Sequence, residues 1–324
     1  MNRAGILVVA LAACGSFEDE DVVIDTRILA MSATPPDQLV DVDLENPQSE
    51  TELLEQLEPA EMCALVADPS FDRGMRWSMT LCVLDNDERC STDLPSVMLG
   101  SGLIADPDIA VPAPRMCVTI NPDGNLLGIL RLVFERDTFR GLGGLDYGIS
   151  LAVGGADVDP TLDLYAGKTV RVTPRIPAER TANSNPVIDH FDASIDGAEP
   201  VVLPLGRCVD QPSPIEIGPR ATVRITPIES AATREIYVVP TLDGRQQTFT
   251  ESPTYQWLVG AGGVSSGSTG GPRDISGNPA PLFTDYRAPR AEDLDGVLDV
   301  PVWVIVRDER LGATPYESCL RVVP

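Results

Sequence analysis

Residues 300–312 read VPVWVIVRDERLG. Val, Ile and Trp fill almost every position up to Val306, and a charged Asp-Glu-Arg turn ending in Gly312 closes the run. β-branched and aromatic residues suit a pleated, packed surface, so 300–307 reads as a strand. A second strongly β-like run, 319–323, follows it. Working outward, short runs of the same kind alternate with Pro, Gly and Asp clusters along the whole chain, the pattern of sandwiches or barrels.

Before residue 175 the expected strands are 22–31, 62–67, 75–84, 116–120, 126–134, 147–153 and 169–174. Asn121-Pro-Asp-Gly124 supplies turn chemistry between two of them. One helix is expected at 49–57, where Leu53, Leu54 and Leu57 repeat at a 3–4 spacing. The stretch 174–186, PRIPAERTANSNP, has three prolines and no apolar period, and reads as a linker. Strands then return at 187–191, 201–205, 221–227, 235–239, 247–251, 255–259, 283–287, 300–307 and 319–323. Residues 260–271, GAGGVSSGSTGG, read as a flexible loop.

At the start, MNRAGILVVALAACGSFEDED places ten apolar or small residues between Arg3 and Cys14. A helix of that length is about 15 Å long and cannot cross a core about 30 Å thick. The run therefore reads as a signal peptide. Its Leu11-Ala-Ala-Cys14 ending resembles the lipobox of bacterial lipoproteins. That resemblance implies cleavage after residue 13, a diacylglyceryl thioether on Cys14, and a membrane anchor of two or more acyl chains. Residues 14–21, with four consecutive acids, form a short solvated tether. Gly15 stands where an inner-membrane retention signal would place aspartate, so the resemblance implies the outer membrane.

Each half carries a tryptophan strand, Arg76-Trp77-Ser78 and Gln256-Trp257-Leu258. Tyr255-Gln-Trp257 with Gly260, and Val302–Val306 with the turn 307–312, resemble the central and penultimate strands of PKD-like and immunoglobulin-like sandwiches. The Gly-Asp-Gly common after the PKD tryptophan strand is missing, so the resemblance implies the broader Ig-like class. The whole chain also resembles two-domain envelope lipoproteins of Gram-negative, high-GC bacteria, through the lipobox, Val23-Ile-Asp-Thr-Arg27, the 174–186 stretch and Arg307-Asp-Glu-Arg310. The expected architecture is all-β: signal peptide 1–13, lipidated tether 14–21, one β-sandwich domain at 22–175, a linker at 176–186, and an Ig-like sandwich at 187–324.

Seven cysteines occur. With Cys14 lipidated, an even six remain, which in an exported chain suggests disulfides. In Ig-like sandwiches the first strand often runs beside the last, which implies a Cys208–Cys319 bridge. Such a loop is worth roughly 4–5 kcal/mol on the chain-entropy argument. The other four cysteines allow three pairings; Cys82–Cys90 across a local loop with Cys63–Cys117 joining two strands is the favoured one. No C-x-x-C pair exists, so thioredoxin-like chemistry and common zinc spacings are absent.

Net charge is −25, from 24 basic and 49 acidic residues. A chain of this sign repels nucleic acid and anionic surfaces. Lys168 and His190 are its single lysine and histidine, so a Schiff base or a histidine-activated nucleophile has one candidate each. Gly263-Val-Ser265-Ser-Gly267 matches a nucleophile elbow in letters, but no helix follows and His190 precedes the serine. Gly141-Leu-Gly-Gly144 lacks a phosphate-binding spacing and reads as a turn. Acid pairs are too common to mark a glycosidase, and 5% aromatic residues leave few sugar-stacking platforms. Gly155-Ala-Asp157-Val-Asp159 and Glu292-Asp-Leu-Asp295-Gly296 cluster oxygens without EF-hand spacing, and read as solvated loops with structural Ca²⁺ as the alternative. Trp77, Trp257 and Trp303 read as core residues.

The reading is a non-enzymatic, lipid-anchored envelope protein without a cofactor, serving as scaffold, adhesion or protein-interaction module. Its partners are a membrane, through Cys14, and an envelope or surface protein, with nucleic acid excluded. The alternatives are an accessory subunit or carboxylate-based hydrolase of the envelope, and a Ca²⁺-stabilised adhesin.

Overall fold

A computed structural model describes residues 19–43, 45–46, 48–68, 74–104, 115–241 and 245–324. Cys14, the segment 1–13 and the tether up to residue 18 lie outside the described residues. The architecture is all-β, with two α-helices among the described residues.

The first half runs β1 (Arg27–Thr34), β2 (Asp37–Val40), α1 (Glu50–Leu54), β3 (Ala60–Ala67), β4 (Met75–Cys82), β5 (Val97–Ile104), β6 (Arg115–Ile120), α2 (Gly124–Arg136), β7 (Leu145–Gly155) and β8 (Leu164–Pro174). A three-stranded sheet, β1-β3-β6, packs on a five-stranded one, β2-β8-β7-β4-β5. Their shared core holds Met62, Ala64 and Val66 from β3, Met79 and Leu81 from β4, and Ile149, Leu151 and Val153 from β7.

The second half runs β9 (Ile188–Ile195), β10 (Val201–Val202), β11 (Ile215–Ile217), β12 (Thr222–Glu229), β13 (Ile236–Pro240), β14 (Gln246–Thr250), β15 (Thr254–Val259), β16 (Gly263–Val264), β17 (Ser268–Gly270), β18 (Thr284–Arg287), β19 (Leu298–Arg307) and β20 (Ala313–Val322). Two five-stranded sheets, β10-β9-β12-β18-β16 and β11-β20-β19-β15-β17, enclose a second core. Trp257 sits at its centre, edge-on to Phe191 at 6.2 Å, with its indole N–H donated to Thr269 Oγ1 at 2.7 Å. β13 and β14 form a separate exposed hairpin.

Residues 300–306 are apolar at successive positions because β19 is buried on both faces, as continuous apolar strands are. Val300, Val302, Val304 and Val306 enter the second core. Trp303 and Ile305 point the other way, into a third cluster with Val23, Leu29, Ala30, Leu65, Ala67 and Leu258. β3 does the same in mirror fashion: Met62, Ala64 and Val66 face the first core, Leu65 and Ala67 the third cluster. The two halves thus meet sheet to sheet, the β1–β3 face on the β15–β19 face.

Several expectations are corrected. The segment 126–134 is helix, not strand. Asp123, expected in a turn, is the N-cap, accepting from the N–H groups of Asn125 and Leu126, and the spacing of Leu126, Ile129 and Leu130 is helical. The expected strand 22–31 is broken: Val22 bridges to Val259 in the second half, and regular pairing starts at Arg27. The 49–57 helix is shorter, α1, but begins as the sequence suggests, with a Ser49–Glu52 capping box. The 260–271 segment is no free loop; it holds β16 and β17. β2 and β5 are strands that the sequence pattern does not announce. Gly100 and Gly102 look like breakers, yet in β5 each makes room for a side chain: a Cβ on Gly102 would lie 2.7 Å from Trp77 Nε1, and one on Gly100 would lie 2.7 Å from Val118 of β6.

Candidate functional site

Three disulfides join Cys63 to Cys117, Cys82 to Cys90, and Cys208 to Cys319. Cys63 and Cys117 face each other directly in the β3–β6 ladder. Cys208 lies in a short 3₁₀ turn rather than in a first strand, and β11 is the strand that runs parallel beside β20. Glu61 stands near Cys63 and Cys117, but both sulfurs are spent in the disulfide and leave no thiolate for a metal.

A polar cluster lies at the junction. In the β19–β20 turn, Asp308 Oδ1 accepts from the N–H groups of Arg310 and Gly312, both at 2.7 Å. Leu311 adopts a left-handed φ of 78°. The turn aims Arg310 back between the halves. Its guanidinium lies over the Tyr237 ring at 4.7 Å, 3.2 Å from Glu235 and 3.6 Å from Glu251, both of the second half. It also stands 3.9 Å from Asp37 of β2 and donates to the Thr181 carbonyl at 2.8 Å.

The 174–186 stretch is tied into the same cluster. Asn183 donates to Asp308 Oδ2 at 3.1 Å and to the Arg310 carbonyl at 2.9 Å. Asn185 donates to the Ala33 carbonyl of β1 at 2.8 Å and accepts from Ala313 N of β20 at 2.9 Å. Lys168 of β8 donates to the Leu311 carbonyl. So the stretch has linker composition but acts as a clasp, with Asn183 and Asn185 reaching one half or both.

Burial sets the protonation behaviour here. Glu251 is 2% exposed, and loss of hydration, with Asp308 nearby, pushes its carboxyl up to about 7. Asp37 is raised chiefly by burial, against a hydrogen bond from Thr173 and the charge of Arg310. Burial lowers the Lys168 amine to about 8, partly offset by Asp308. A carboxyl near neutrality is a usual mark of acid–base chemistry. Here Glu251 is enclosed by Arg310 and the Glu235 N–H rather than facing a cleft.

An apolar recess lies in the first half, between α1 and α2. It measures about 560 Å³. Val40, Leu57, Leu130 and Val172 come from elements of the first core, and Leu53, Leu54, Leu127 and Phe134 from the two helices. At the rim, Arg131 pairs with Glu50, Glu135 stands nearby, and Arg140 lies over the Phe134 ring at 5.7 Å. Sequence reading misses this groove because the apolar run 126–134 suits a strand as well as a helix; a helical spacing behind Asp123 is the available signal.

The remaining sequence candidates do not converge. Ser265 Oγ accepts from the Asp285 N–H at 2.9 Å, and a strand follows it rather than a helix. His190 Nε2 is 3.5 Å from Asp192 on the same strand. Asp159 caps a 3₁₀ turn through Thr161, and Glu292 pairs with Arg220. The 141–144 glycines form the turn between α2 and β7. Trp257 and Trp303 are fully buried; Trp77 is partly buried against the first core.

No protein family matches the sequence, and no curated protein matches it. Among solved structures, the chain is similar to dimeric latent PorU from Porphyromonas gingivalis, at 12% identity over 92% of this chain and 24% of that one, TM-score 0.20. It is similar to native E. coli alpha-2-macroglobulin at 8% identity over 94% and 17%, TM-score 0.21. Collagen adhesin from S. aureus matches at 8% identity over 92% and 93%, TM-score 0.17. The chain spans about a quarter or less of the first two. Similarity at this level assigns neither a family nor an activity.

Proposed function

We propose that this chain is a non-enzymatic protein-interaction module of the cell envelope, anchored to the outer membrane through Cys14. The observation that carries the reading is the junction. Arg310 and the 174–186 stretch fill part of the space between the halves where, in many two-part enzymes, a cleft would open, and leave beside them a recess of about 330 Å³ lined by Ser32, Thr34, Glu61 and Leu65 of one half and Ala313 and Thr314 of the other. Glu251 and Asp37, both raised by burial, lie beside Arg310 there. Binding then falls to outer surfaces and loop ends, where sandwiches commonly carry it. Three disulfides suit an exported chain.

The test has two parts. Intact mass of protein extracted from its native membrane is expected to begin at Cys14 and to carry acyl chains. A chain retaining residues 1–13, or an unmodified Cys14, overturns the anchor. Hydrolysis of envelope glycans or peptides that disappears in Glu251→Gln overturns the non-enzymatic role.

A further inference from the structure

We propose that the groove between α1 and α2 binds a single-chain anionic amphiphile, a long-chain carboxylate, with the alkyl chain along the groove and the head at Arg140. The inference goes beyond the interaction role and does not depend on the anchor. At about 560 Å³ the groove is within the roughly 300–1,000 Å³ of small-molecule sites. Its lining is mainly leucine, valine and phenylalanine, which reward an alkyl chain and give a sugar or nucleotide nothing to hydrogen-bond.

The rim charges choose the head. Arg131 is engaged by Glu50, with Glu135 beside it. Asp137 spends its carboxylate on the N–H groups of Phe139 and Gly141. Arg140 has no carboxylate partner among the described residues, in a chain of net charge −25 where most arginines have one. It reaches the groove from a left-handed residue, φ 50°, with its guanidinium over Phe134. Phe134, in the lining, is 41% exposed, and Phe139 and Leu142, on either side of Arg140 in the chain, are 62% and 51% exposed. An apolar slot ending at one uncompensated guanidinium is complementary to an alkyl chain ending in one negative charge.

The test is calorimetric titration of the full chain carrying Cys14→Ser with straight-chain carboxylates of eight to fourteen carbons, about that range being set by the groove. Affinity is expected to rise about fourfold per methylene. Dodecanol is expected to bind about tenfold more weakly than dodecanoate. Arg140→Asn, which suits a left-handed position, lowers dodecanoate to the level of dodecanol and leaves dodecanol unchanged. Leu127→Trp fills the groove and abolishes both, while its melting temperature shows that the fold is retained. Affinity independent of chain length, or unaffected by Leu127→Trp, overturns the proposal. So does a dimer seen by sedimentation that Leu127→Trp dissociates, which would give the groove to a second copy. These outcomes leave the mass at Cys14, and hence the anchor, untouched.

Discussion

The guanidinium of Arg310 stands 3.6 Å from the carboxylate of Glu251, a group 2% exposed whose protonation is raised by burial from 4.5 to about 7. Because the folded value lies above the unfolded one, the folded state holds the extra proton between those limits. The contribution of Glu251 to stability is therefore full below about pH 4.5 and is lost as pH rises through 7. Glu251→Gln keeps an acceptor for the Glu235 N–H and removes the ionisation. Melting measured from pH 5 to 8 is expected to fall in the wild type and stay flatter in the variant, the difference reaching at most about 3 kcal/mol. Parallel curves would refute this account of Glu251.

Lys168 gives the opposite slope in a separate window. Its folded value is lowered from 10.5 to about 8, so its contribution is present above the unfolded value and is lost as pH falls toward 8. Lys168→Met removes that slope. A wild type and variant that track each other between pH 8 and 10 would show the amine to be solvated.

Arg310→Ala leaves Asp37, Glu235 and Glu251 together without their shared cation. Removing one partner from a buried charge cluster costs about 3–5 kcal/mol. The loss is expected in urea denaturation. It is expected to be larger at pH 8 than at pH 5, where Glu251 is protonated. A loss under 1 kcal/mol at both, about that of a surface pair, would mean that the cluster is open to water.

Much of this molecule is written in alternations that the chain displays openly. The two-faced burial of β19 accounts for VWVIV, and the Ser49–Glu52 box marks the start of α1. The three disulfide pairs formed in the structure are those favoured from spacing and the sandwich resemblance. The hidden features depend on partners distant in sequence. Gly100 and Gly102 read as breakers until Val118 and Trp77 are placed against them. Asp123-Gly124 serves a hairpin or a helix start equally well, and the apolar period of residues 126–134 decides between them. The clasp is least legible: Asn183 and Asn185 look like linker residues, and only the return of the β19–β20 turn gives them partners.

Disulfide removal should rank by loop length. Cys208 and Cys319 are 111 residues apart, Cys82 and Cys90 only 8. Chain entropy assigns roughly 4.8 and 2.5 kcal/mol to these bridges. Paired serine variants compared by urea denaturation are expected to keep that order. The reverse order would point to native contacts at Cys82–Cys90, rather than chain entropy, as the source of its contribution.

The central claim is that the halves are joined through Trp303, Ile305, Leu65 and Ala67 and clasped by Arg310. Native-state amide hydrogen exchange resolved to β3 and β19 tests it most directly. The account predicts that both strands open with the same free energy, and that Arg310→Ala lowers protection in both by a similar amount. If β3 exchanges through an opening that leaves β19 protected, and Arg310→Ala affects the second half alone, the halves are independent and the account is wrong.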